Sequence, residues 1–169
     1  MSATDVEPFD PRPGRASVLL SIAGALLTVV VSAATLPAAA LGLTGLVLLP
    51  IGVQRGSRLV HRLGSAALFS AVVIAGAAGL APLSMLVAAG AAIVAWDAGE
   101  QGIGLGEQLG RAAATSRVQV VHTGATVAVG ALVGVVGYAV YDVASVGQPT
   151  TAIALLVGAA MLFTYLLER

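Results

Sequence analysis

Stretches such as LLTVVV and ALLVGAAMLF sit inside apolar runs far longer than a buried strand or core helix needs, and run length restricts this chain more than any other feature. It points to lipid as the solvent. Composition agrees: of 169 residues, 58% are hydrophobic and 9% charged, with a mean hydropathy of +0.99. Soluble domains carry about 25% charged residues, so this chain lacks the polar side chains to cover a water-facing surface. Without water to bond exposed N–H and C=O groups, each crossing segment must be a helix or part of a closed barrel. A barrel would alternate apolar and polar residues, and these runs do not. The expected fold is all-α, an integral membrane bundle.

Six segments can be cut out, at 16–34, 36–53, 63–80, 83–96, 118–141 and 150–167. A crossing helix needs roughly 20 residues, with a range of about 17 to 25. Five meet that length; the fourth does so only if its helix starts near Leu80 or runs on past Trp96. Pro37, Gly79 with Pro82, and Gly147 with Pro149 fall at the joins of three tight hairpins. The hairpins suggest a pseudo-repeat, although no residue-level match between them supports duplication.

Arginine placement gives the threading. All eight basic residues are arginine. Arg12 and Arg15 precede the first segment, and Arg55, Arg58 and Arg62 lie at the second-to-third connection. Arg111 and Arg117 lie between the fourth and fifth segments, and Arg169 closes the chain. The opposite connections hold none. Six crossings therefore put every arginine on one side, which the positive-inside rule makes cytoplasmic, with both termini there. Removing the fourth crossing would split the arginines five against three. Trp96, Tyr138, Tyr141 and Tyr165 fall near segment ends, where amphipathic rings favour the headgroup level. A cleaved signal peptide ending near Ala38–Ala40 is the competing reading of the first segment, but its apolar run is long and its leader is acidic as well as basic. That polar, proline-rich leader, residues 1–15, is expected to be disordered, ahead of a single membrane domain over 16–169.

Lipid tails are as apolar as leucine, so helices in a membrane associate by close approach. Gly130, Gly134 and Gly137 share one face of the fifth segment and form a candidate helix-packing site. That face could serve a homo-oligomer or the packing of a single bundle. Ser21 and Ala25 offer a weaker small pair in the first segment.

A second polar stretch is GEQGIGLGEQLG, from Gly99 to Gly110. It lacks the third glycine and the preceding strand of a dinucleotide fingerprint, and the chain has no lysine for a P-loop. A helix accounts for it better. At helical spacing Asp97, Glu100, Gly104, Glu107 and Arg111 share a face, with Glu107 and Arg111 spaced for an i,i+4 pair. Each glycine costs about 1 kcal/mol against alanine in a helix, tolerable if another element packs tightly on it. Residues 97–117 are thus expected to form a cytoplasmic amphipathic connector, with Asp97, Glu100, Glu107 and Arg111 as a candidate partner-docking face.

The block WDAGEQGIGLGEQLGR, followed by a glycine-rich span and GYAVYD, resembles a haloarchaeal family of small multi-pass membrane proteins of unknown function. The likeness runs from about Arg15 onward. It implies no activity for any residue. Relatives in operons with a MoxR-type ATPase and membrane-anchored proteins imply a role in a membrane assembly.

Zero net charge gives no sign of a nucleic-acid partner. The absence of cysteine excludes thiolate metal sites and cysteine nucleophiles. No HExxH, GxSxG or paired intramembrane carboxylates occur. His61 and His122 lie near segment ends, where a ring nitrogen can bond a carbonyl or a headgroup. The expectation is a non-enzymatic cell-membrane protein without cofactor or metal, an accessory or scaffold subunit whose partners are the bilayer and other subunits of a complex. The other class is a small oligomeric transporter or channel for a neutral or lipid-like substrate.

Overall fold

The computed structural model describes residues 9–144. Those residues form five α-helices and no strand. They are α1 (Arg15–Ser32), α2 (Leu36–Arg55), α3 (Arg58–Ala77), α4 (Pro82–Leu109) and α5 (Ser116–Ala144). All five are long and apolar enough to cross a membrane. The sixth expected segment, 150–167, and the Gly147–Pro149 turn lie outside the described residues.

The connections follow local chemistry. Thr35 caps α2, its hydroxyl accepting from the Ala38 N–H at 3.4 Å, with proline in the first turn. Gly56 ends α2 at φ 66°, and the Ser57 N–H reaches back to the Gly52 carbonyl at 2.8 Å. This is the bond pattern of a glycine-terminated helix. Ser57 in turn caps α3 through the Val60 N–H. Only Gly56 and Ser57 separate the two helices, so α3 starts at Arg58 rather than at 63. The arginines there suggest a connection; in the structure Arg55 is the last residue of α2, and Arg58 and Arg62 belong to α3.

The fourth segment is corrected most. Its apolar run stops near Trp96, but α4 continues to Leu109 as one helix of 28 residues, about 42 Å long. That exceeds a hydrocarbon core of about 30 Å. Falling hydrophobicity ends the membrane-compatible part of a helix without ending its hydrogen bonding. The connector is therefore largely the last turns of α4, and the residues between helices reduce to 110–115.

The chain divides into two compact units, residues 1–134 and 135–169. In the first, α1 packs on α2 and α4, and α3 packs on α2 and α4, which closes a four-helix ring. Its core is Ala25, Val29, Leu49, Val53, Leu68, Ala92 and Ala95, with Val18, Leu46 and Phe69 against it. Small residues set the spacing. A Cβ on Gly24 would stand 2.8 Å from the Ala91 carbonyl oxygen and 2.9 Å from the Ala95 nitrogen, so α1 and α4 meet backbone to backbone. Along the same side of α1, Ser17, Ser21, Thr28 and Ser32 are wholly buried. The Thr28 hydroxyl lies 2.9 Å from the Gly24 carbonyl and 3.3 Å from the Ala88 carbonyl of α4. Leu19, Leu26, Val30, Val47 and Val73 are exposed, as lipid-facing positions should be. Described residues of the second unit continue α5, with the Tyr138 and Tyr141 rings 6.3 Å apart.

Candidate functional site

The polar residues of α4's last turns act as joints between helices. Arg58, in the first turn of α3, reaches across to two carboxylates of α4. Its guanidinium pairs with Glu100 and donates to both oxygens of Glu107, at 2.8 and 3.4 Å. Glu100 and Glu107 lie seven residues apart and share a helix face, so one planar fork can serve both.

Beside this clamp His61 is wholly buried. Its Nε2 lies 3.1 Å from the Trp96 carbonyl and 3.9 Å from Glu100. A carbonyl only accepts, so this contact assigns the ring proton to Nε2. The expectation that a histidine at a segment end would bond a carbonyl holds for His61.

Asp97 ties α4 to the start of α5. Its Oδ2 accepts from the Thr126 hydroxyl at 2.7 Å and from His122 Nε2 at 2.9 Å. The trio contains the residue types of a nucleophilic triad, but in a different order. A triad needs the imidazole between hydroxyl and carboxylate, whereas here both donors converge on the carboxylate. The hydroxyl proton points at Asp97 and the imidazole does not receive it. The arrangement is a joint between helices. Among the described residues no group of three or more His, Asp or Glu side chains is placed to hold a metal.

The glycines of this stretch show why α4 tolerates them. A Cβ on Gly99 would collide with His61 and Val53, one on Gly102 with Ser17, and one on Gly106 with the backbone of Pro11 and Arg12. At i, i+3 and i+7 they form a single face onto which α3, α1 and the entering chain press. Residues 9–14, within the leader expected to be disordered, therefore lie against the end of α4. Pro13 is buried, and the Asp10 carbonyl accepts from the Arg111 N–H at 2.8 Å.

The four residues read as one docking face thus separate. Asp97, Glu100 and Glu107 bond within the chain. Arg111 leaves the helix altogether, because Gly110 turns at φ 75° after Leu109. The expected Glu107–Arg111 pair cannot form once helical geometry stops between them, and Arg58 takes the carboxylate instead. Arg58, His122 and Thr126 carried no visible sign of these roles, since their partners lie 25 to 49 residues away in the chain. The glycines of α5 expected to pack have a different setting. Among the described residues nothing lies within 4 Å of a Cβ placed on Gly130, Gly134 or Gly137.

No curated protein and no solved structure matches this chain. A family pattern matches residues 11–164, which takes in the clamp, the Asp97 joint and every described helix. The chain belongs to a family of unknown function, DUF7519.

Proposed function

We propose that this protein is a non-catalytic accessory or scaffold subunit of a membrane complex, with its arginine-rich end in the cytoplasm. The observation that supports this best is the clamp of Arg58 on Glu100 and Glu107. With the Asp97 joint, it engages the carboxylates of α4 in holding helices together. Each of these carboxylates makes a contact between helices, and the described helices carry no charged path through the bilayer. A transporter would need a polar lumen, and the buried hydroxyls of α1 instead face α4 where the two backbones touch. Partners at this end would recognise a surface whose shape the clamp maintains.

Affinity purification from native membranes tests the reading. The wild-type chain should recover defined membrane subunits. Glu100→Gln with Glu107→Gln should lower both thermal stability and partner recovery, whereas Arg62→Gln should change neither. Undiminished recovery by the double variant would separate the clamp from any partner surface. Recovery of no partner by the wild-type chain would count against a scaffold altogether.

Orientation has its own test in this cysteine-free chain. Ala114→Cys and Ala34→Cys place thiols at exposed positions on the two sides implied by the arginines. In intact cells an impermeant thiol reagent should label only the latter. Labelling of Ala114→Cys before lysis would reverse the assignment.

A further inference from the structure

A cavity of about 780 Å³ opens beside the start of α1 and the end of α2, and its charged lining is entirely arginine: Arg12, Arg15, Arg55 and Arg111. Three separate parts of the chain supply them. The bond from the Arg111 N–H to the Asp10 carbonyl fastens the last of these to the first. Arg12 has an acidic neighbour, Asp10, at 3.8 Å. Arg15, Arg55 and Arg111 make no ion pair among the described residues. Like charges gathered around one cavity repel one another, so the arrangement is favourable when an anion occupies it.

The anion's chemistry follows from the walls. Guanidinium groups present paired donors that match phosphate oxygens. Gln54 adds a neutral polar side chain to the same lining. The volume is within the usual range for small-molecule sites, about 300 to 1,000 Å³. Val18 and Leu19 form an apolar wall on the α1 side. Exposed Leu19, Leu26 and Val30 continue that wall along α1 at spacings of seven and four residues. A charged pocket that opens onto an apolar track, at the point where a polar leader becomes a membrane-compatible helix, fits an amphiphile better than a soluble ion. We infer that this cavity binds the phosphate headgroup of an anionic phospholipid, with the acyl chains laid along α1. The inference is independent of the scaffold reading.

The test uses the full chain in an uncharged detergent, titrated separately with short-chain phosphatidylglycerol, short-chain phosphatidylcholine and inorganic phosphate. Bound copies are counted by native mass spectrometry, and melting is followed in parallel. Wild type should prefer phosphatidylglycerol. Arg15→Gln with Arg55→Gln should weaken that binding by about tenfold or more, since each lost charge-assisted bond contributes on that scale. Arg62→Gln with Arg117→Gln, which removes the same charge elsewhere, should leave it unchanged. If the first pair does not unfold cooperatively, Arg111→Gln replaces it and should weaken binding in the same direction. Equal losses in the cavity and control variants, or no preference for the anionic headgroup, would overturn the proposal. Inorganic phosphate binding as strongly as phosphatidylglycerol would assign the site to a soluble anion and overturn the lipid assignment.

Discussion

The middle of the four-helix ring and its arginine-bearing end are held together by different means. In the middle, α1 and α4 touch through Gly24, Ala91 and Ala95, and no ionisable side chain is present. At the end, α4 is joined to α3 by Arg58 across two carboxylates, and to α5 by Asp97 with His122 and Thr126. The solvent accounts for the difference. Within lipid, burying apolar surface between helices gains little, so close backbone approach and dispersion must supply the attraction. Near the headgroups charge is tolerated, and directional bonds can fix which helices meet. The middle therefore sets how closely the helices pack, and the end sets which surfaces face one another.

Substitutions can separate these contributions. The largest effect is expected in the middle: Gly24→Leu must push α4 away from its backbone contact. Overpacking typically costs about 1 to 3 kcal/mol and sometimes more, so a loss at or above about 3 kcal/mol is expected in detergent unfolding. Gly90→Leu is the matched control, because a Cβ there meets nothing within 4 Å. Similar losses at the two glycines would show that close approach does not organise the ring.

The end should respond less. Arg58→Gln leaves Glu100 and Glu107 without their shared cation, and about 1 kcal/mol is expected, the upper range for partly exposed pairs. Repeating the measurement in 1 M salt should shrink the difference between this variant and wild type, since screening already weakens the native pair. Gly24→Leu should show no such salt dependence. A salt-sensitive Gly24 variant beside a salt-insensitive Arg58 variant would break the comparison.

Thr126→Val is a finer probe of the α4–α5 joint. It removes one of two donors to Asp97 and retains the other, so about 0.5 to 1.5 kcal/mol is expected. Pairing it with His122→Phe should cost more than the sum of the single changes, because Asp97 then keeps neither donor. Additive losses in a double-mutant cycle would mean that the two donors act independently. Arg62→Gln, an exposed position at the same end, should stay within about 0.5 kcal/mol of wild type.

Much of the ring was legible in the sequence because lipid leaves a helix few alternatives. Run length located α1 and α2 almost to the residue, and Pro82 and Gly79 marked the turn before α4. The end of α4 was less legible, since the apolar run stops near Trp96 while the helix continues to Leu109 under different stabilising contacts. Its glycines looked costly in isolation and became explicable only when His61, Ser17 and the Pro11–Arg12 backbone were found against them. Periodicity correctly grouped Glu100 with Glu107 on one face. It could not supply Arg58, because a charge partner from another helix depends on how helices pair. Local spacing pointed to Arg111 for the same reason, and a single glycine at 110 removed it.

The two-residue join at Gly56 and Ser57 also bears on the order in which the protein can be made. Helices α2 and α3 are neighbours in the chain and in space, so that hairpin can form as soon as both have left the ribosome. The partner of α1's glycine and hydroxyl face is α4, which is synthesised last of the four. Until it arrives, Ser17, Ser21 and Thr28 have no α4 surface to cover them, and Arg58 lacks both of its carboxylates. Ring closure during biosynthesis thus waits for α4, and a nascent chain stalled after α3 would present an incomplete bundle to the insertion and quality-control machinery.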